Sequence, residues 1–234
     1  MRVFVIAVLS VVLFAGQAVA EEKKQMSEKE KLSYSIGYTQ GINLAGNLKA
    51  QSVDVDTNTI IEAFKTGLSG TAPVLTEQEM RQIISELQKS IAAKQSELMK
   101  EAAEKNKKAG ESFLAENMKK IGVVTLPDGL QYKVMKEGTG EIPKATDKVK
   151  VNYRGTLIDG KEFDSSYKRG EPAVFPVKGG IIAGWTEALQ LMRVGSKWEL
   201  FIPSGLAYGT RAASPLVGPN STLIFEIELL SIEK

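Results

Sequence analysis

The sequence predicts an α+β protein in three parts: an all-helical N-terminal module, a long connecting helix, and a C-terminal curved antiparallel β-sheet wrapped around a short α-helix. Two observations support this prediction. Ten of the 16 aromatic residues and six of the eight prolines lie beyond residue 130. The apolar pattern also changes there from a helical period to strict alternation. The chain therefore divides near residue 125 into a helical front half and a mostly β-stranded back half.

The composition excludes several classes of chemistry. The 234 residues include no Cys and no His, so disulfides, thiolate nucleophiles, Ser-His-Asp triads and the usual zinc sites are not available. No metal and no other cofactor is expected. The 30 Lys and Arg residues nearly balance 28 Asp and Glu, for a net charge of +2. Such a small net charge argues against a nucleic-acid partner.

Residues 1–20 are typical of a secretory signal peptide. Arg2 precedes a short apolar run, and Ala18 and Ala20 form an A-x-A cleavage site before acidic residues. A membrane anchor is the alternative, but the apolar run is shorter than the roughly 18 residues that span a bilayer. We expect cleavage after Ala20 and export to the periplasm, either free or in association with the outer membrane.

The first helix is predicted for residues 27–50. Ser27 and Glu30 have the spacing of a capping box, in which each residue's side chain accepts from the other's amide. The helix carries Gly37 and Gly41 four residues apart. This spacing favours close packing of another helix, with chance as the alternative explanation.

A second, shorter helix is predicted for residues 57–69, where Asp56 can cap the start and glycines mark the end. The two helices define a module at residues 21–75 that has few large apolar residues for its length. Alone it could bury little surface, whereas two copies packed together would bury more. We therefore expect a homodimer that forms through residues 27–98.

The long connecting helix is predicted for residues 76–121. A second capping box begins at Thr76, and no Pro interrupts the pattern before Pro127. Between residues 100 and 112, no side chain larger than Ala is apolar. This part is therefore predicted to be a solvated stalk, which Gly110 could bend. The alternative is two shorter helices that fold back on each other.

The last part, residues 122–234, has strand patterns around one helix. Residues 148–154 alternate apolar and polar side chains, and the Asp159-Gly160 pair predicts a hairpin turn into the next strand. The final strand alternates in the same way. Between these strands, the spacing of apolar residues predicts a helix over residues 179–192.

A cluster of aromatic residues in this back half indicates either a pocket or an aromatic-rich core. The predicted alternation places five of them on the side where the sheet meets the helix: Tyr153, Phe163, Phe175, Trp185 and Phe225. This is more aromatic surface than a core of that size usually requires, but the core remains the alternative. Asp164 and Tyr208 are the candidate polar groups.

Four segments of the back half are typical of one family and occur in its order. They are V-N-Y-R-G-T-L-I-D-G-K-E-F-D-S-S at 151–166, I-I-A-G-W at 181–185, A-Y-G at 207–209 and S-T-L-I-F-E-I-E-L-L at 221–230. In these segments the chain resembles the FK506-binding-protein (FKBP) type of peptidyl-prolyl cis-trans isomerase, which implies the FKBP fold. The helical front half is similar in organisation to the dimerisation module of the macrophage infectivity potentiator (Mip-like) subgroup.

The resemblance implies roles for individual residues. It implies catalytic positions at Tyr153, Phe163, Asp164 and Tyr208. It implies substrate-binding positions at Phe175, Ile181, Ile182, Trp185, Leu216, Val217, Phe225 and Arg169. Trp185 would be the floor under the substrate proline ring, and the Tyr208 hydroxyl and the Ile182 amide would hydrogen-bond substrate carbonyls. Leu216 and Val217 would contact the residues that flank the proline.

The resemblance also implies a function. It indicates an isomerase that acts on unfolded or proline-containing polypeptides, assists the folding of exported proteins in the bacterial envelope, and binds macrolides of the FK506 class. Rotation about an X-Pro bond requires no covalent step, which suits a chain without His or Cys. The alternative is a dimeric holdase chaperone whose cleft binds unfolded chains. A role in virulence would rest on analogy with the subgroup alone.

Overall fold

The computed structural model describes residues 26–233, which form two compact units divided between Thr76 and Glu77. The predicted signal peptide, residues 1–20, lies outside the described residues. The first unit is helical, and the second contains one long helix and a seven-stranded antiparallel sheet. The predicted α+β arrangement is thus confirmed. None of the helices within residues 26–233 is long and apolar enough to cross a membrane.

The first unit contains the two predicted helices, α1 (Glu28–Ala50) and α2 (Thr57–Ser69). The capping box of α1 is present. Ser27 Oγ accepts from the Glu30 amide at 3.3 Å, and Glu30 Oε2 accepts from the Ser27 amide at 2.8 Å. No residue of either helix is buried, so this unit leaves its apolar side chains on the surface.

The long helix, α3 (Glu77–Asn117), is a single helix of 41 residues rather than two shorter ones. It belongs to the second unit. The prediction of a solvated stalk at residues 100–112 is wrong for one face of this segment, because its small side chains let α3 pack closely against the rest of the unit. A Cβ atom on Gly110 would collide with the Thr222 side chain. Gly110 therefore allows close approach within a continuous helix.

The C-terminal end of α3 is also packed against the sheet. The Phe113 and Phe201 rings lie with their centroids 6.0 Å apart. Asn117 is only 1% exposed, and its Nδ2 donates to Gln131 Oε1 at 2.9 Å. The last turns of α3 are therefore part of the packing of the second unit.

The sheet positions the pocket described below. Its strands are β1 (Val123–Thr125), β2 (Gln131–Lys136), β3 (Lys148–Leu157), β4 (Glu162–Ser165), β5 (Ala173–Pro176), β6 (Lys197–Ile202) and β7 (Leu223–Glu233). Their order is β1-β2-β6-β7-β3-β4, and β5 also pairs with β3. The predicted turn after β3 is confirmed, since the Leu157 amide donates to the Lys161 carbonyl at 2.9 Å and Gly160 has a φ of 85°.

Two short helices, α4 (Ser166–Arg169) and α5 (Ala183–Leu189), complete the second unit. α5 is shorter than the predicted helix at residues 179–192. Gly179 adopts a left-handed φ of 87° and Ile182 an extended ψ of 152°, so the chain before α5 is a turn. The buried side chains of α5 join those of β3, β6 and β7 in one hydrophobic core.

The packing at Gly110 leads to a stability prediction. Gly110→Ala should lower the free energy of unfolding, because the added methyl group would collide with Thr222. Overpacking of this kind costs about 1–3 kcal/mol, and the better helix propensity of Ala offsets about 1 kcal/mol. Urea denaturation should therefore show a net loss of up to about 2 kcal/mol.

The Thr222→Ala variant provides the control for this prediction, because it removes the hydroxyl that the added methyl group would meet. The double variant should lose less stability than the sum of the two single variants. A Gly110→Ala protein at least as stable as the parent would contradict the close approach of α3.

Candidate active site

A pocket of about 150 Å³ opens beside α5. Nine residues line it: Tyr153, Asp164, Phe175, Gly180, Ile181, Ile182, Trp185, Tyr208 and Phe225. Eight of these were predicted as site residues. The lining is apolar and aromatic except for one carboxylate and two phenol hydroxyls, so it suits an apolar ring that carries a few polar neighbours.

Trp185 is the centre of the aromatic lining. It is 3% exposed, and its ring meets Tyr153, Phe175 and Phe225 edge-on at centroid distances of 5.2, 5.7 and 5.1 Å. Edge-to-face contacts of this kind are favourable because the positive edge of one ring meets the negative face of another. These rings belong both to the hydrophobic core and to the pocket lining. The aromatic cluster is therefore a pocket and part of an aromatic-rich core, the two interpretations that the sequence leaves open.

Phe163 and Phe225 meet beside Gly155, and this contact depends on the absence of a side chain there. The two rings lie edge-on with centroids 5.5 Å apart. Gly155 on β3 pairs with Phe225 on β7 and with Asp164 on β4. A Cβ atom on Gly155 would lie 2.7 Å from an atom of each ring. Phe163 is absent from the pocket lining and supports the wall from behind.

Asp164 is held by a network of hydrogen bonds. Tyr153 donates its hydroxyl hydrogen to Asp164 Oδ2, and Arg169 Nη1 donates to Oδ1, both at 2.6 Å. Arg169 Nη2 also donates to the Tyr153 hydroxyl at 2.6 Å. The Ser165 amide donates to Oδ1 at 2.8 Å. Both oxygens of Asp164 are therefore occupied, and Arg169 acts on the pocket through Asp164 and Tyr153.

This network determines the charge of Asp164. Burial opposes ionisation, but the hydrogen bonds from Tyr153 and Arg169, with the positive charge of Arg169, hold the pKa of Asp164 below its ordinary value. Burial and the hydrogen bond to Asp164 raise the pKa of the Tyr153 hydroxyl. At neutral pH Asp164 is thus a fixed negative charge, and it is poorly suited to act as a general base.

Several hydrogen-bond donors at the pocket have no partner within residues 26–233, the buried Trp185 Nε1 among them, and two of these donors matter for a bound ligand. One is the hydroxyl of Tyr208, a lining residue that is 43% exposed. The other is the amide of Ile182, whose carbonyl accepts from the Trp185 amide at 3.1 Å. Both donors are available to acceptors on a bound ligand.

Leu216 and Val217 are predicted to contact the residues that flank the substrate proline, and the structure corrects this prediction for Val217. Neither Leu216 nor Val217 lines the pocket. Leu216 is 38% exposed, whereas Val217 is 2% exposed and belongs to the core. The Val217 carbonyl accepts from the Ala213 amide at 2.9 Å, and its amide donates to Ser214 Oγ at 3.1 Å. This turn accompanies the burial of Val217, so its side chain is not available to a substrate.

Gly180 lines the pocket but was not predicted to do so. A Cβ atom at this position would collide with the Pro176 ring. The available signal was the Gly179-Gly180 pair, which marks a turn and which the helical periodicity of residues 179–192 obscured.

Comparisons with known proteins cover both units. The family model for the FKBP-type peptidyl-prolyl cis-trans isomerase matches residues 139–230. The model for the domain amino terminal to such isomerases matches residues 29–134. Together these models cover most of the described chain.

Relatives match over the full length. The chain is 44% identical over 234 residues to outer membrane protein MIP of Legionella longbeachae, with 100% of this chain and 98% of the relative covered. It is 40% identical to the peptidyl-prolyl cis-trans isomerase Mip of Coxiella burnetii, with 100% of both covered. The crystal structure of FkpA from Escherichia coli is similar with a TM-score of 0.68 at 38% identity, covering 88% of this chain and 97% of that one.

A pair of carboxyl groups on the other side of α5 titrates in an unusual range. Glu187, two residues beyond Trp185, shares a hydrogen bond with Asp128. This hydrogen bond, together with burial and repulsion by the Asp128 charge, raises the pKa of Glu187 from 4.5 to about 7. At a pH between 4.5 and about 7, Glu187 therefore keeps a proton in the folded protein that it has released in the unfolded chain.

This pair predicts a pH dependence of stability. Because the folded state binds the extra proton, the free energy of unfolding should fall as pH rises from about 4.5 through about 7. Glu187→Gln should remove this component, making the variant more stable than the parent at pH 8, with a smaller difference at pH 5. Urea denaturation at the two pH values measures the effect. Glu104→Gln, at an exposed position of α3, should keep the slope of the parent; the same slope in Glu187→Gln would contradict the pairing.

Proposed function

The chain belongs to the FKBP-type peptidyl-prolyl cis-trans isomerases, in the Mip-like group with an amino-terminal helical domain, and we propose that the pocket around Trp185 is its active site. The enzyme catalyses rotation about X-Pro peptide bonds. The observation that carries the assignment of the site is an apolar aromatic pocket whose unpaired donors include the Tyr208 hydroxyl and the Ile182 amide.

Binding of the substrate follows from the lining. The proline ring would lie on the Trp185 indole, between the rings of Tyr153, Phe175 and Phe225. The Ile182 amide and the Tyr208 hydroxyl would hold carbonyl groups of the substrate, which fixes parts of the peptide while the X-Pro bond turns. Hydrogen bonds that hold these carbonyl groups keep the substrate in the geometry in which the X-Pro bond can turn, so part of the binding energy is used to orient it.

Catalysis then requires only that the pocket prefer the twisted amide. Rotation breaks amide resonance against a barrier of about 18–20 kcal/mol. The planar amide is strongly dipolar and the twisted one less so. An apolar pocket that excludes water therefore disfavours the planar form relative to the twisted one. Each ~1.4 kcal/mol of this preference increases the rate tenfold. Asp164 would contribute by holding Tyr153 in the wall and by its fixed charge.

We further propose that the enzyme acts in the bacterial envelope on unfolded or proline-containing exported polypeptides. The signal-peptide pattern of residues 1–20 supports export, and the relative from Legionella longbeachae is an outer membrane protein by name. Macrolides of the FK506 class would compete for the same pocket, since they would present an apolar ring and acceptor groups to it.

The activity and its site are tested together by the cis-to-trans isomerisation of a Leu-Pro peptide. Tyr208→Phe should lower kcat/KM by roughly tenfold, because it removes one substrate hydrogen bond worth about 1–1.5 kcal/mol. Asp164→Leu should lower it further, since it leaves the Tyr153 hydroxyl and Arg169 without their shared partner. FK506 should inhibit the parent.

Tyr167→Phe is the matched control for this experiment. Tyr167 is 49% exposed and lies outside the pocket lining, so its loss of a hydroxyl should leave kcat/KM unchanged. A folded parent protein with no turnover above the uncatalysed rate would refute the assignment.

The first unit is proposed to form a homodimer. α1 and α2 bury no residue within the described chain, and large apolar side chains are exposed on both: Leu32, Tyr34, Ile36, Tyr38, Ile42, Ile61, Phe64 and Leu68. A Cβ atom at Gly37 or Gly41 would meet nothing within 4 Å, so the close approach predicted for these glycines has room for a second copy. Isolated folded domains seldom leave so much apolar surface open.

The dimer is tested by a charge placed on the apolar face of α2. Ile60, Ala63, Phe64, Gly67 and Leu68 line an open apolar groove there. Phe64→Asp should convert the dimer to a monomer in sedimentation velocity, because a carboxylate would have to be buried in the interface. Thr66→Asp adds the same charge to the other side of α2 and should leave the dimer intact. A parent protein that sediments as a monomer would contradict the dimer and would favour the holdase function for this open face.

A further inference from the structure

The loop that carries Tyr208 is fastened to the long helix at its far end. We call residues 207–220 the rim loop. Asn106, on α3, donates through Nδ2 to the Pro219 carbonyl at 2.8 Å and to Ser221 Oγ at 3.4 Å. Asn220 Nδ2 donates in return to the Ala103 carbonyl on α3 at 3.3 Å. The helix and the end of the rim loop are therefore joined by hydrogen bonds in both directions.

The two ends of the rim loop are joined to each other. The Asn220 amide donates to the carbonyl of Gly209, the residue after Tyr208, at 2.8 Å. The Gly209 amide donates to the Ser204 carbonyl at 2.8 Å. Asn220 has a left-handed φ of 55°, a conformation that asparagine adopts more readily than most residues and that suits a tight turn. A short path of hydrogen bonds thus leads from Asn106 to the backbone beside Tyr208.

The contact is too close to be incidental. A Cβ atom on Gly218 would lie 3.1 Å from Asn106 Nδ2, so the rim loop meets the Asn106 amide at a residue without a side chain. Asn106 is itself part-buried, although its neighbours along α3 are mostly exposed. The Tyr208 hydroxyl makes no hydrogen bond within residues 26–233 and is 43% exposed. No hydrogen bond therefore fixes the hydroxyl, and its position depends on where the backbone and the ring of Tyr208 are held.

We propose that Asn106 is a positioning residue for the isomerase reaction. By fixing Pro219 and Asn220 it fixes Gly209, and thereby the direction in which Tyr208 presents its hydroxyl to the substrate. This inference rests on the role proposed above for Tyr208. The long helix is then a support for the catalytic pocket as well as a connection between two parts of the chain.

α3 provides its own control, because a second polar contact fastens it to a different place. Asn117 donates to Gln131 Oε1, and Gln131 Nε2 donates to the Leu114 carbonyl, both at 2.9 Å. These bonds hold α3 to β2 and do not involve the rim loop. A purely structural role for Asn106 would make the two asparagines equivalent, whereas a positioning role makes them different.

The test compares Asn106→Asp with Asn117→Asp in the full chain. Asn106→Asp replaces the donor facing the Pro219 carbonyl by an acceptor. It should lower kcat/KM for a Leu-Pro peptide by roughly tenfold, the loss expected for one misdirected substrate hydrogen bond. It should also speed hydrogen exchange at the Asn220 amide. Asn117→Asp should lower the urea midpoint but leave kcat/KM and hydrogen exchange at the Asn220 amide unchanged. Asn106→Ala and Asn117→Ala serve if either Asp variant does not fold.

A double variant separates this inference from the function on which it rests. If Asn106 acts through Tyr208, then Asn106→Asp combined with Tyr208→Phe should be no slower than Tyr208→Phe alone. Additive losses would overturn the inference, as would an unchanged kcat/KM in Asn106→Asp. A Tyr208→Phe protein with full activity would overturn both the role of Tyr208 and this inference.

Discussion

The edge-on contacts between the Trp185 indole and the rings of Tyr153, Phe175 and Phe225 join the sheet, the short helix and the pocket into one unit. The surface that stabilises the fold is therefore the same surface that shapes the cavity. Because these rings are held by the core, the pocket needs no ligand to form. A pocket that exists before the substrate arrives avoids the cost of ordering its side chains on binding.

The polar groups of the site are arranged around this aromatic frame and do not transfer protons. Asp164 has both oxygens occupied and Arg169 is engaged with two partners, so the network is a rigid support. The Tyr208 hydroxyl and the Ile182 amide, which have no partner within residues 26–233, are the donors proposed to bind the substrate. This division suits a reaction whose only change is rotation about one bond, since such a reaction gains from orientation and desolvation and needs no nucleophile.

Much of this arrangement could be predicted from the sequence, and the failures have physical reasons. α1 and α2 were predicted closely because caps such as Ser27 and helix-ending glycines are local signals. The packing of α3 against the second unit was missed, because a periodic pattern is recognised from large apolar side chains. The contact of α3 is made instead by Asn106, Gly110 and small neighbouring residues. α5 was predicted too long because its apolar rhythm continues through the turn at Gly179. Val217 was misplaced because the fold of an irregular loop depends on hydrogen bonds that no periodic pattern encodes.

The hydrogen-bond network at Asp164 has a consequence for the conditions under which the enzyme can work. The pKa of Asp164 is held low and that of Tyr153 is raised, and no histidine is present in the chain. Asp164 should therefore stay charged and the Tyr153 hydroxyl neutral when the surroundings turn mildly acid or mildly alkaline, even though Glu187 on the other side of α5 titrates in that range. For a protein proposed to work outside the cytoplasm, where protons from the growth medium enter freely, folding assistance would continue without any help from the cell's own control of acidity.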